Sequence, residues 1–191
     1  MRTHRIRALL MGGQAYVFCG AAESSRDTDF AILADGANLA RLRRALAELQ
    51  AEPIAVPPFA IKYLRRGHAI HFRCQHPDAL QMRVVVMSKM CGVDAFKQLW
   101  RRRTTLQIPG GEKCELLSLP DLVQAKKTQR DKDWPMIRRL VEARPLLACA
   151  QTGEADALEH ALRTEETAER QRDREYWLPL RRELEILRHT K

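Results

Sequence analysis

The sequence lacks the features that mark several common classes of protein. No apolar run approaches the roughly 20 residues of a membrane-spanning helix, so no membrane partner is expected. The five cysteines are odd in number and scattered, which argues against a disulfide framework and favours a cytoplasmic protein with reduced thiols. There is no Walker loop, dinucleotide-binding fingerprint or serine-hydrolase elbow. Aromatic residues make up 6% of the chain, but apolar residues at 45% support a real core.

Positive charge is abundant and unevenly distributed. The 191 residues carry a net charge of +9. Residues 154–191 contain 8 basic and 10 acidic side chains, so the basic excess lies in the preceding part of the chain. This distribution indicates an anionic partner, either a nucleotide or a nucleic acid. A basic surface that is merely solvated is an equally weighted alternative.

A glycine pair interrupts the first apolar segment. A strand is predicted over Ala8 to Met11, followed by a sharp turn at Gly12 and Gly13 and a helix from about Gln14. Glycines allow unusual φ values and let a ligand approach the main chain closely. A helix that begins there offers unpaired N–H groups and a partial positive charge, which suits a phosphate.

Two acidic residues follow on the next predicted strand, over Arg26 to Leu33. Asp27 and Asp29 are two residues apart, so on a strand they point to the same face, about 6.6 Å apart along the chain. Mg²⁺ prefers oxygen ligands and usually takes one or two carboxylates plus substrate phosphates. Taken singly, the glycine pair is typical of a plain turn and the acid pair of a solvated strand end.

In combination, the glycine pair, the short helix and the Asp-x-Asp strand resemble the signature of the polymerase β-like nucleotidyltransferases. The pattern is most similar to the small bacterial branch that includes the nucleotidyltransferase-type toxins of toxin–antitoxin systems. The matching residues are Gly12, Gly13, Ala15, Gly20, Ser25, Arg26, Asp27 and Asp29, with Thr28 in place of the usual apolar residue. The resemblance implies transfer of a nucleoside monophosphate from a nucleoside triphosphate, such as ATP, to a hydroxyl. It implies that Asp27 and Asp29 are catalytic and hold Mg²⁺, with two ions expected.

A second segment, over residues 119–140, resembles the same branch. The matching residues are Asp121, Leu122, Lys126, Arg130, Lys132 and Asp133. A lysine or arginine near a triphosphate neutralises charge on the leaving pyrophosphate. The resemblance thus implies a nucleotide site made of Gly12, Gly13, Ser25, Arg26, Lys126, Arg130 and Lys132. On spacing alone, the segment is typical of an ordinary solvated basic helix.

The chain departs from the family pattern at a third carboxylate. Active relatives carry a third aspartate on a neighbouring strand as the base, or to position one, and here Val85 occupies the matching position. General-base help contributes about 10²–10⁴-fold, so its loss would slow turnover yet spare nucleotide binding. Asp78, Asp94 and Glu23 are candidate substitutes. A catalytically silent relative that binds nucleotide, RNA or a partner protein is the alternative, and a basic nucleic-acid-binding module is a third.

Histidine and cysteine recur at His68, His71, Cys74 and His76. On a strand, His68 would lie roughly 20 Å from Cys74, and a structural zinc site needs four convergent ligands. The segment is therefore interpreted as a β-hairpin strand with outward polar residues.

The predicted architecture is α/β (α+β), a nucleotidyltransferase fold with a small mixed sheet, helices on one side and a helical C-terminal part. Residues 1–117 are expected to form the core, 118–145 a helical part that completes the nucleotide site, and 146–191 a charged helical hairpin. Further strands are predicted over 69–74, 82–87 and 113–117, and helices over 93–103, 118–126 and 132–143, with Ser118 opening the second of these. Another helix is predicted from the apolar stripe between Leu39 and Leu49, with Asp35, Gly36 and Asn38 as its cap. The acceptor is left open between RNA, a protein side chain and a small molecule, and an antitoxin or other protein is an expected partner.

Overall fold

The computed structural model describes residues 3–19, 22, 25–107, 112–128, 130–131, 133–142 and 155–189. Of residues 138–142 and 155–162, the backbone alone is described. The fold is α+β, as predicted, with a seven-stranded mixed sheet flanked by helices. None of the helices in the described ranges has the length and apolar character needed to cross a membrane.

Strands are interspersed with helices through the first two thirds of the chain. The strands are β1 Ala8–Met11, β2 Asp27–Ile32, β3 Glu52–Pro53, β4 Ile70–Arg73, β5 Arg83–Met87, β6 Thr104–Gln107 and β7 Lys113–Leu116. The helices are α1 Gly12–Phe18, α2 Gly36–Glu48, α3 Ile61–Arg66, α4 Phe96–Arg101, α5 Leu119–Lys126, α6 Asp133–Glu142 and α7 Ala155–His189.

The acid-bearing strand β2 lies in the middle of the sheet, whose order is β3-β4-β5-β2-β1-β7-β6. It pairs antiparallel with β1 on one side and parallel with β5 on the other. The run Val84 to Met87 of β5 is buried, as expected for a continuous apolar strand. The two acids therefore lie between paired strands, where the backbone is fixed.

Helices cover both faces of the sheet, so the prediction of helices on one side is wrong. Val84 and Val86 of β5 belong to a core cluster that also contains α2 and α3 side chains. Met87 belongs to a second cluster with side chains from α1, α4 and α5. Consecutive strand residues point to opposite faces, so an unbroken apolar strand requires cover on both.

Two helix starts follow their sequence signals. The Asp35 side chain accepts the backbone N–H of Asn38 at 2.6 Å and caps α2. Ser118 accepts the backbone N–H of Asp121 and caps α5 in the same way. These caps confirm the predicted starts of both helices.

The C-terminal segment differs from its prediction. Residues 155–189 form one continuous helix, α7, and not the two arms of a hairpin. The segment contains no glycine, and Pro179 lies inside the helix, although a proline removes a backbone hydrogen bond there. Packing of Trp177, Leu180 and Leu187 against the core holds the helix on both sides of the proline. The domain boundaries proposed after residues 117 and 145 stay predictions.

Candidate functional site

The corner between β1 and α1 accepts only glycine without rearrangement. The helix begins at Gly12, two residues before the predicted start, and Gly12 has a φ of +64°. A Cβ on Gly12 would lie 2.0 Å from Oδ2 of Asp29, and one on Gly13 would lie 2.3 Å from Oγ of Ser25. The Asp29 side chain of β2 and the Ser25 side chain just before that strand therefore pack directly against this corner.

The two acids differ in environment. Asp29 accepts a hydrogen bond from the backbone N–H of Gly13. Burial raises the pKa of Asp29, and the Asp27 charge raises it further, while Lys126 and Arg130 act in the opposite direction. Oδ1 of Asp27 is buried and, among the described residues, has no hydrogen-bond partner. Its nearest cation is Nη1 of Arg83, 3.9 Å away.

Two cations converge on a fully buried carboxylate opposite the acids. Nζ of Lys126 lies 2.9 Å from Oδ1 of Asp133, and Nε of Arg130 lies 2.6 Å from its Oδ2. Thr128 also donates its hydroxyl to Asp133. Burial acts to raise the pKa of Asp133, but the Thr128 hydrogen bond and the two cations together lower it. Asp133 thereby positions a lysine and an arginine beside Asp29.

The glycine corner, the two acids and the two cations all line one pocket of about 680 Å³. Its volume is in the range of small-molecule sites. The predicted site residues that line it are Gly12, Gly13, Ser25, Arg26, Asp27, Asp29, Lys126 and Arg130. Lys132, the remaining predicted site residue, lies outside the described residues, as does Gly20 of the glycine motif.

The long helix α7 contributes residues that the sequence analysis did not assign to the site. Asp173, Trp177 and Arg181 line the pocket. Nε1 of Trp177 donates to Oδ1 of Asp173 at 3.0 Å. The available signal was the i, i+4 spacing of these two residues, but the sequence does not show that this helix crosses the pocket.

The register of the sheet shows which residue of the neighbouring strand lies beside Asp29. Asp29 of β2 pairs directly with Val85 of β5, so the position at which the resemblance implies a third acid lies beside Asp29 and holds a valine. Neither Asp78 nor Asp94 lines the pocket, and Glu23 lies outside the described residues. On the far side of Val85, β4 presents His71, which does line the pocket. Sequence reasoning treated His71 as an outward polar residue.

The acid pair suits a magnesium ion that is shared with a substrate. Asp27 and Asp29 share a face, and Oδ1 of Asp27, to which no described residue donates a hydrogen bond, has a lone pair available. In the described part of the chain, no group of three or more His, Cys, Asp or Glu side chains is placed to hold a metal. Mg²⁺ commonly takes one or two carboxylates and completes its shell with phosphates and water, so these residues fit it.

The histidine–cysteine segment has structural partners. Nε2 of His68 lies 2.7 Å from Oε2 of Glu183 on α7, and Cys74 is buried in the core. His68 thus contributes to the attachment of α7, and Cys74 contributes to the core.

Comparison with models of known protein families finds no match, and comparison with curated proteins finds none either. The geometry of the pocket and the residues that line it are therefore the indications of what this chain does.

Proposed function

We propose that this chain is a Mg²⁺-dependent nucleotidyltransferase of the polymerase β-like type. It would transfer a nucleoside monophosphate from a nucleoside triphosphate to a hydroxyl and release pyrophosphate. The observation that supports this proposal is the convergence on one pocket of an aspartate pair, a glycine corner packed against it and two cations. Separate segments supply these parts: β1–α1, β2 and the region from α5 to α6.

Each part has a role in this reaction. Gly12 and Gly13 let the side chains of Asp29 and Ser25 pack directly against the backbone, and both glycines line the pocket in which the triphosphate would lie. Asp27 and Asp29 would hold one or two Mg²⁺ ions, and bound Mg²⁺ supplies positive charge that offsets that of the triphosphate. Lys126 would neutralise charge on the leaving pyrophosphate.

The remaining lining residues extend the nucleotide site. Arg130 is half exposed, and its guanidinium can contact the triphosphate or sugar while Asp133 holds its Nε. Ser25 donates to the carbonyl of Asp27 at 2.9 Å and so fixes the start of β2, and Arg26 is exposed at the rim. We propose RNA or a protein as the acceptor, a cytoplasmic location, and an antitoxin or other protein as a partner.

The test is label transfer. The purified chain is incubated with each of the four ribonucleoside triphosphates, labelled at the α-phosphate, together with Mg²⁺ and total RNA or total protein. We expect the acceptor to become labelled, and we expect EDTA or Asp29→Asn to abolish the labelling. Asp78→Asn is the matched control, because the Asp78 side chain is 93% exposed and lies away from the pocket.

Absence of transfer to both acceptor pools would contradict the proposal, as would transfer that Asp29→Asn leaves unchanged. The first result leaves open nucleotide binding without chemistry, which is the second candidate.

That second candidate, a silent nucleotide or RNA binder, is favoured by one observation. Val85 stands beside Asp29 at the position of the expected third acid. The variant Val85→Asp discriminates between the two functions. If the natural protein is silent, Val85→Asp gains transfer, whereas an active natural protein already transfers label without the substitution.

A further inference from the structure

A histidine faces the reaction site across the valine that replaces the third acid. Val85 pairs with Asp29 on one side and with His71 on the other. Directly paired residues of neighbouring strands point to the same face, so the three side chains form one row across β2, β5 and β4. Two inter-strand spacings separate the Cα atoms of Asp29 and His71 by about 10 Å, which leaves room for a reacting group between them.

The alternation of β4 fixes the direction of the imidazole. Ile70 and Phe72 are buried in the core cluster with α2 and α3. His71 lies between them in the sequence, so it points to the opposite face, and it lines the pocket. Val85 ends in two methyl groups and offers no polar atom to compete for the space beside Asp29.

The imidazole is available to act as a base. Within the described part of the chain, its side chain makes no hydrogen bond to another residue. Burial lowers the pKa of His71; Asp27 on β2 raises it and Arg83 on β5 lowers it. The net shift is downward, so the ring is neutral at pH 7 and carries one nitrogen lone pair.

Other charged groups also face this pocket and bear on the titration of His71. Besides Asp27, they are Arg26, Asp29, Lys126, Lys127, Arg130, Asp133, Asp173 and Arg181. The other carboxylates are engaged: Asp133 by its two cations, and Asp173 by the Trp177 indole. Asp29 accepts from Gly13 and belongs to the proposed magnesium pair.

We propose that His71 is the general base of the transfer reaction, in place of the missing third carboxylate. The inference rests on the proposed function. The acceptor hydroxyl oxygen attacks the α-phosphorus, the new P–O bond forms, and the bond from phosphorus to the bridging oxygen of pyrophosphate breaks. The hydroxyl proton passes to the imidazole nitrogen of His71, and the resulting imidazolium later releases it to water. Pyrophosphate leaves with the electron pair of the broken bond.

The experiment compares the natural chain with His71→Asn. We expect the rate of label transfer to fall by about 10²–10⁴-fold in this variant, the range of general-base effects. We expect Mg²⁺-dependent affinity for the nucleoside triphosphate, measured by calorimetry, to stay the same. The control is His76→Asn, because the His76 ring lies on the surface near Asp78 and does not line the pocket.

Two further measurements separate a base from a residue that merely supports the fold. The transfer rate of the natural chain should rise with pH through the titration of His71 and then level off, and His71→Asn should lose that rise. The double variant His71→Asn, Val85→Asp should regain transfer, because it restores a carboxylate at the expected position.

The outcomes are distinguishable. Transfer that is unchanged in His71→Asn overturns the role of His71 and leaves the proposed function standing. A parallel loss of Mg²⁺–nucleotide affinity also overturns it, because His71 would then bind the nucleotide or metal. A natural chain that transfers no label removes the proposed function and this inference together.

Discussion

At the scale of single residues, the ionised side chain of Asp29 lowers the stability of the folded chain. Its pKa is raised by burial and by Asp27, so the ionised form is disfavoured in the folded chain. Because the folded pKa lies above the unfolded value of about 3.9, this penalty is absent below that value and complete above the folded pKa. A bound cation removes the penalty by favouring the ionised form.

We therefore predict that Asp29→Asn stabilises the metal-free chain at pH 7. The amide oxygen still accepts the Gly13 N–H, and the half-buried charge is gone. Thermal unfolding in EDTA should show a rise in Tm of a few degrees, on the order expected for about 1 kcal/mol in a chain of this size. The rise should vanish below about pH 4. Asp78→Asn should leave Tm unchanged, and a lower Tm for Asp29→Asn at pH 7 would contradict the prediction.

The residues that could be predicted from sequence are those that act through local spacing. Asp27 and Asp29 share a face because they are two apart on a strand, and the glycine pair precedes a helix by a pattern that is visible in the sequence. His71 could not be found in that way. Its position depends on the register of β4 against β5 and of β5 against β2, which no local pattern specifies.

At the scale of elements, the β1–α1 corner packs against the Asp29 side chain of β2. We predict that Gly12→Ala destabilises the chain by at least about 1–2 kcal/mol, the cost of a left-handed backbone at a residue with a Cβ. The same Cβ would displace the Asp29 carboxylate, so Mg²⁺-dependent nucleotide binding should be lost as well. Urea denaturation and calorimetry measure the two effects.

The chain contains a matched control for this substitution. Gly36 begins α2, and a Cβ there would meet nothing within 4 Å. Gly36→Ala should therefore leave stability unchanged or improve it by up to about 1 kcal/mol. Equal effects of the two substitutions would show that the Gly12 corner imposes no special constraint.

The attachment of α7 depends on a buried histidine. His68 is 1% exposed, and Glu183 accepts from both His68 and Arg66. We predict that Glu183→Gln lowers stability by about 1.5–3 kcal/mol at pH 7, the range for a hydrogen bond to a charged group. Glu185→Gln, two residues further along the same helix and exposed, should have no effect.

The pH dependence of this contact has a defined sign. The hydrogen bond from His68 lowers the pKa of Glu183, so its contribution is present above the unfolded value of about 4.3 and is lost as the pH falls through the folded value. The difference in urea stability between the natural chain and Glu183→Gln should therefore disappear in acid. A difference that is constant down to pH 3 would contradict this account.

Helices and strands could be predicted where buried apolar residues recur at a regular spacing or where a capping residue marks a helix start. The buried β5 and the capped helices α2 and α5 follow their sequence signals. The edge strand β6 was missed because Thr104, Thr105 and Gln107 are exposed and give no apolar alternation. The continuity of α7 through Pro179 was missed because tertiary packing, which the local sequence does not report, outweighs the proline.

At the scale of the whole molecule, segments that are distant in sequence meet at one pocket. The glycine corner and the acids come from the first 29 residues, and the cations follow about a hundred residues later. The α+β class and this convergence could be anticipated from a resemblance to a known family, whereas the cover of both sheet faces and the passage of α7 across the pocket could not.

The central claim is that the Asp27–Asp29 pair and the glycine corner together hold a metal-bound triphosphate. Titration calorimetry of the natural chain, Asp29→Asn and Asp78→Asn with each ribonucleoside triphosphate, with Mg²⁺ and with EDTA, tests it most directly. We predict Mg²⁺-dependent binding by the natural chain and by Asp78→Asn, weakened by at least about 10–100-fold in EDTA or in Asp29→Asn. Binding that persists without Mg²⁺ and in Asp29→Asn, or no binding of any triphosphate by the natural chain, would contradict it.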